Sequence, residues 1–188
     1  MQKFFPAFII SILFTVILVT QMAINGQDSK ASKVGKSLSK YSVYESKFSK
    51  TKFETTKKSK INLIKQKQPI IVLNFWASWC QPCLSEFQTL KKFVNEFSKD
   101  EVLVIGINND DENPKKAIKK TEKDLKLNFE SVIDSSSTVT SSFLVEKIPA
   151  SIVFYNGKVI HYVNEEFDFM NSKFIYKIKN LLKESSKK

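Results

Sequence analysis

The sequence predicts an α/β fold, a three-layer sandwich in which a mixed sheet carries helices on both faces, placed after an N-terminal hydrophobic segment. Three observations predict it. Ile70–Trp76 (IIVLNFW) and Val102–Ile107 (VLVIGI) are β-branched and aromatic runs of the kind found in buried strands. Between them Leu84, Phe87, Leu90, Val94 and Phe97 recur at helical spacing from Pro82 to Phe97. Near the C-terminus Asn156-Gly157 separates two further strand-like runs, a two-residue hairpin signal.

In chain order, Met1-Gln2-Lys3 is a short positive start and Phe4–Val19 carries no charge. Met22-Ala23-Ile24 extends that run past Thr20 and Gln21, to a length that suits either a signal peptide or a tilted span. Residues 1–26 are read as signal peptide or signal-anchor. A cleaved signal and a retained anchor both fit, and both export the rest. Residues 27–46 are small, polar and lysine-rich, a tether of low order. The domain is expected at 47–188. KFETT and KINLI read as short edge strands.

After the strand at 70–76 and the helix from Pro82 comes the second strand. Asn113-Pro114 then opens a helix to about Lys126, with proline in the first turn. Asp110-Asp111-Glu112 precede it and are expected to supply a capping side chain rather than a metal cluster. Phe129–Ile133 is a short strand and Ser137–Phe143 a short helix. Ser151–Tyr155 and Val159–Val163 flank the hairpin turn. Phe169–Leu182 is an amphipathic helix. Right-handed crossovers make the first strands parallel and leave the hairpin antiparallel at an edge.

Charge is uneven. Lys30–Lys67 holds twelve lysines against Glu45 and Glu54, a local +10 within a total of +11. Nucleic acid is a poor explanation. The chain has no arginine, and these lysines lie in a Ser/Thr-rich stretch. A solvated linker explains them, as does an anionic membrane surface. The positive-inside bias runs against export here. The N-terminal position of the apolar segment and the cysteine chemistry favour it.

The two cysteines of the chain, Cys80 and Cys83, lie in WASWCQPCLSE. Zinc needs four ligands when structural and three plus water when catalytic, and the chain adds only His161. A structural staple closing so small a loop gains little, because stabilisation grows with loop length. A couple cycling between dithiol and disulfide fits best: the pair follows a buried strand and opens a helix. Cys80 then sits at the helix N-terminus, where unpaired N–H groups favour a thiolate, and is the attacking sulfur. Cys83 resolves the mixed disulfide. Gln81 is neutral and Pro82 suits the first turn. No cofactor or metal is expected beyond the redox-active Cys80–Cys83 disulfide.

WASWCQPC resembles the active-site segment of the thioredoxin superfamily. VLNFWASWCQPCLSE, VLVIGINND and KIPASIVFYNGKVI together resemble its membrane-tethered TlpA/ResA-like branch, from about Pro69 to Leu182. The likeness is weak before residue 69, where the branch has an N-terminal hairpin. The resemblance implies a thioredoxin-like sandwich and an exported thiol–disulfide oxidoreductase that reduces partner disulfides. It implies Cys80 as nucleophile, Cys83 as resolving cysteine and Pro149 as a cis-proline facing the disulfide, with Ile148 offering backbone hydrogen bonds to an extended substrate. A plain trans bond at Ile148-Pro149 is the other reading. Asn74 stands where cytoplasmic thioredoxins carry a buried aspartate. Glu86 matches the branch's glutamate three residues after the second cysteine; partly buried, it would accept the Cys83 proton. Otherwise Glu86 is a solvated helix residue. Trp79 is expected over the active-site sulfur, shaping partner docking, and Trp76 in the core. His161 reads as a surface residue.

Implied partners are protein disulfides, such as those of apocytochrome c or copper-site assembly proteins, with a membrane thiol donor of electrons. The implied location is bacterial and extracytoplasmic. Two other functions remain for comparison. A peroxiredoxin-like peroxidase wants Thr-x-x-Cys, and Ala77 stands three before Cys80. A copper-binding or docking module on this fold would want a histidine beside the two thiolates.

Overall fold

A computed structural model describes residues 41–185. The signal or anchor expected at 1–26 and most of the tether lie outside them. Val43–Lys188 forms one compact unit. Among the described residues no helix is long and apolar enough to cross a membrane.

The elements run α1 (Ser42–Lys50), β1 (Lys52–Glu54), β2 (Lys60–Asn62), a 3-10 turn (Leu63–Lys65), β3 (Ile70–Trp76), α2 (Gln81–Glu96), β4 (Val102–Asn108), α3 (Pro114–Leu125), β5 (Glu130–Ile133), α4 (Thr138–Ser142), β6 (Ala150–Tyr155), β7 (Lys158–Val163) and α5 (Ser172–Ser185). The main sheet has the order β5-β4-β3-β6-β7. β3, β4 and β5 are parallel, and β6 and β7 are antiparallel to their neighbours. This is the mixed three-layer sandwich the sequence predicts.

β3 is central, and all seven of its residues are buried. Strand alternation divides them. Ile70, Val72 and Trp76 pack with Cys83, Phe87, Leu90 and Phe93 of α2, Ile118 of α3 and Phe174, Ile178 and Leu182 of α5. Ile71, Leu73 and Phe75 pack on the other face with Phe48, Phe53, Leu63 and Phe143. Asn74 is the one polar residue of the strand, and its side chain meets α2. Opposite it in β4 lies Gly106. A Cβ there would stand 2.8 Å from Trp76 Nε1 and 2.9 Å from Ser131 Oγ, so the close approach of these side chains requires glycine. The hairpin turn has Asn156 at φ 49° and Gly157 at φ 77°, as a two-residue turn of this twist needs.

Four differences from the sequence reading have physical causes. KFETT and KINLI do form strands, but they pair with each other as a hairpin, Phe53 opposite Ile61. That hairpin is joined to β5 through Thr55, which bridges Val132, and Thr56 N–H, which donates to Ser131 O at 2.9 Å. Helical order also starts at Ser42, inside the stretch expected to be tether. Phe48 anchors α1 by stacking on Phe154 at 4.6 Å, while Glu45 accepts from Lys158 Nζ at 2.8 Å and Val159 N–H at 3.3 Å. α3 has no side-chain cap: Asn113 takes a left-handed φ of 49°, and Asp110 bonds elsewhere. The last helix starts at Ser172 rather than Phe169. Phe169 is buried in the preceding turn, and Asn171 Oδ1 caps the helix through the N–H groups of Lys173 and Phe174.

If α1 belongs to the folded unit, Phe48→Ala will lower stability by about 3–5 kcal/mol, the usual cost of deleting a buried phenylalanine ring. Denaturant unfolding of the two proteins side by side checks this. A loss below about 0.5 kcal/mol, as for a surface position, would show that α1 contributes nothing.

Candidate active site

β3 ends at Trp76, and the turn Ala77-Ser78-Trp79 leads into α2. Cys80 N–H donates to Ala77 O at 3.1 Å and closes that turn. Cys80 is the N-cap of α2, and its Sγ accepts from Cys83 N–H at 3.3 Å. Pro82 sits in the first helical turn, where no partner for an N–H is needed. Cys80 and Cys83 are joined as a disulfide with a Cα–Cα separation of 5.3 Å. Both sulfurs are buried against the α2 face of the core. Gln81 and Pro82 are exposed beside them.

Trp76 is in the core, edge-on to Phe87 at 5.1 Å. Trp79 is 66% exposed. Its ring stands open to solvent instead of being packed down, which leaves it available to a partner. The Ile148-Pro149 bond is cis. Pro149 is buried directly before β6, where Ala150 pairs with Phe75 of β3. Ile148 packs against the cluster that contains both cysteines. The structure thus brings together the end of β3, the start of α2 and the start of β6.

Glu86 is 2% exposed, not a solvated helix residue. Its Oε1 accepts from Asn74 Nδ2 at 2.6 Å and its Oε2 from Phe167 N–H at 2.8 Å. Burial pushes its pKa up from 4.5 to about 7. The bonds from Phe167 and Asn74 pull the other way, and the nearby Glu166 charge adds a smaller upward push. Asn74 Nδ2 also donates to Ser151 Oγ at 2.9 Å. One carboxylate therefore ties α2 to β3, and through Asn74 to β6. The segment after β7 is laid along α2 by further bonds. Ser85 Oγ donates to Glu166 at 2.5 Å, and Phe169 N–H donates to Thr89 Oγ1 at 3.2 Å.

Sequence reasoning missed Ser151, Phe167 and Asp110. Asn74 was visible as a polar residue in an apolar run, but its partners lie far along the chain. Asp110 is a second buried carboxylate beside the turn, bonded to Ser78 and Asn108. His161 is not a plain surface residue. It is half-buried against Phe167 at 4.7 Å and Phe174 at 5.3 Å, and burial, with a smaller push from Lys177, lowers its pKa. Among the described residues no group of three or more His, Cys, Asp or Glu side chains is placed to hold a metal.

A profile of the AhpC/TSA family matches residues 45–163. The chain belongs to the AhpC/TSA family. Within it the chain is a thiol–disulfide oxidoreductase similar to the ResA and DsbE proteins. It is 28% identical over 131 residues to the thiol-disulfide oxidoreductase ResA of Bacillus subtilis, covering 69% of this chain and 70% of that protein. It is 32% identical over 120 residues to the thiol:disulfide interchange protein DsbE of Haemophilus influenzae, covering 61% and 62%. The crystal structure of StoA from Bacillus subtilis superposes with a TM-score of 0.57 at 21% identity, covering 69% of this chain and 95% of that one. This last likeness shows the thioredoxin-like fold.

Glu86 gives a pH signature. Its folded pKa lies above its unfolded value, so its contribution to stability is whole below about pH 4.5 and is lost as pH rises through about 7. By about pH 8 the loss reaches roughly 3 kcal/mol. Glu86→Gln removes this titration. In the oxidised protein, the unfolding free energy of the variant relative to wild type should rise by that amount between about pH 4.5 and pH 8. A pH-independent difference would mean that Glu86 titrates normally.

Proposed function

We propose that this oxidoreductase works outside the cytoplasm as a reductant of protein disulfides, with Cys80 as nucleophile and Cys83 as resolving thiol. The observation that carries the assignment is the Cys80–Cys83 disulfide at the N-terminus of α2, backed by a buried carboxyl on the same helix. In the reduced protein the Cys80 thiolate attacks a partner disulfide. One partner thiolate leaves, and a mixed disulfide forms. Cys83 then attacks Cys80 Sγ, restores the internal disulfide and releases the second partner thiolate. Two electrons pass to the partner. Glu86, three residues after Cys83 on one helical face and with a pKa near 7, is matched to take the Cys83 proton.

The exposed Trp79, Gln81 and Pro82 form the rim a partner would meet, and the backbone of Ile148 before cis-Pro149 would pair with an extended cysteine-containing segment. Partners of the apocytochrome c or copper-site assembly kind, and re-reduction by a membrane thiol donor, follow from the ResA-like resemblance. Export is supported by the apolar segment at Phe4–Val19 and by structural likeness to a secreted disulfide oxidoreductase of Mycobacterium tuberculosis, at a TM-score of 0.56. A peroxidase is disfavoured by Ala77 in place of threonine and by the close second cysteine.

The test has two arms. Cys83→Ser should accumulate a mixed disulfide through Cys80 with insulin, whose disulfides are intact, or with a model disulfide peptide, whereas Cys80→Ser should trap none. Equilibration of the wild-type pair with dithiothreitol should give a potential below about −220 mV, on the reducing side of glutaredoxins. A value near about −120 mV, that of a strong oxidant, would reverse the direction of the reaction.

A further inference from the structure

Asp110 lies two residues past the end of β4 and is 4% exposed. Three groups reach its carboxylate, and all of them donate. Ser78 N–H stands 3.1 Å from Oδ1 and 3.2 Å from Oδ2. Ser78 Oγ donates to Oδ1 at 3.0 Å, and Asn108 Nδ2 to Oδ2 at 2.8 Å. This donor set is the one an ionised carboxylate accepts. Among the described residues Asp110 makes no ion pair. Ser78 is two residues before Cys80. The same strand end holds the turn by its backbone, since Asn109 N–H donates to Trp76 O at 2.9 Å.

The helix N-terminus and the Asp110 charge act on Cys80 in opposite senses. The α2 N–H groups favour a thiolate. A buried anion beside the turn disfavours one. Other charged groups flank the site. Glu112, Lys116, Lys120 and Asp124 line a cleft with Ser78 and Leu84, and Glu166 bonds Ser85. These five are exposed and therefore screened. Glu86, on α2 itself, is buried and pairs with Asn74 and Phe167.

We propose that Asp110 is a positioning residue for the redox turn, and that its buried charge opposes the Cys80 thiolate and so favours the disulfide, making the pair a stronger reductant. Its geometric part is to fix Ser78, and through it the path of the chain into the N-cap. Its electrostatic part acts in the reduced state alone, since the disulfide carries no charge. The inference rests on Cys80 being the attacking sulfur, and the experiment separates the two claims.

The full chain in detergent is reduced and alkylated with iodoacetamide across a range of pH, with the modified cysteine mapped. Asp110→Asn keeps an oxygen for Ser78 and removes the charge. A downward change of about one unit in the Cys80 pKa gives tenfold more thiolate below that pKa, and lower nucleophilicity offsets about threefold of this. The variant should thus react about threefold faster at low pH. Equilibrium with dithiothreitol, which passes two electrons and two protons to the disulfide and leaves as its cyclic disulfide, should move toward the protein dithiol by up to about tenfold. A wild-type profile and equilibrium, or slower alkylation, overturns the proposal. If Asp110→Asn fails to fold, the carboxyl carbon resonance of Asp110 is followed in reduced wild-type protein. It should move as Cys80 ionises, and a flat signal overturns the proposal. First modification at Cys83 would instead sink the assignment of Cys80, whatever Asp110 does.

Discussion

The hydrogen bond from Asn74 to Glu86 joins the central strand to the redox helix, and the rest of the site is built around it. A carboxyl group enters the core here in a layer otherwise filled by Val72, Trp76, Phe87 and Leu90. Such a group costs stability unless its acceptors are used. Both oxygens are used: one by the side chain of β3, the other by the backbone of the segment after β7. Three parts of the chain that are distant in sequence are therefore locked at one point. Asn74 Oδ1 remains buried without a partner, so satisfaction is incomplete.

Placement of the disulfide follows from this lock. α2 starts where β3 stops, so the register of β3 against β4 and β6 sets where Cys80 emerges. Phe75 pairs with Ala150 on one side and with Ile107 on the other. The first pairing fixes cis-Pro149 beside the strand end; the second brings Asp110 behind the turn. Two buried carboxylates then flank one redox pair, Glu86 from inside the helix and Asp110 from the neighbouring strand. Their hydrogen-bond environments differ. Asp110 sits in a cradle of three donors that satisfies an anion, and Glu86 has two donors and a carbon-rich surround that raises its pKa. One is suited to hold a charge, the other to exchange a proton.

Local pattern carried much of this in the sequence. The central strand, the redox helix, the hairpin turn and the pair itself are each encoded within a short window, by an apolar run, a helical stripe, an Asn-Gly and a Cys-x-x-Cys. α1 was missed because it buries little beyond Phe48, too few apolar residues to mark a helical face in a lysine-rich stretch. In the sequence Asp110 reads as part of a polar loop because Asp111, Glu112 and Pro114 follow it, and its burial is created by β4 lying against the β3–α2 turn. Ser151 and Phe167 contact Asn74 and Glu86 across 77 and 81 residues, a separation no local pattern reports. Glu86 was named through spacing and family likeness, and its depth in the core is a tertiary fact.

The proton count links the buried glutamate to the order of events. Reducing the disulfide adds two electrons and two protons, and both thiols lie where solvent reaches them poorly. Cys83 and Glu86 are three residues apart on one helical face. Two anions at that spacing in a dry core would repel, so the proposed transfer leaves one proton between Cys83 and Glu86. With the disulfide formed, burial holds Glu86 near 7, where a carboxyl can exchange its proton at neutral pH. In the proposed mechanism Cys83 stays a thiol while Cys80 engages the partner, and ionises when Glu86 takes its proton. The resolving sulfur becomes nucleophilic inside the mixed disulfide, where its attack releases a reduced partner.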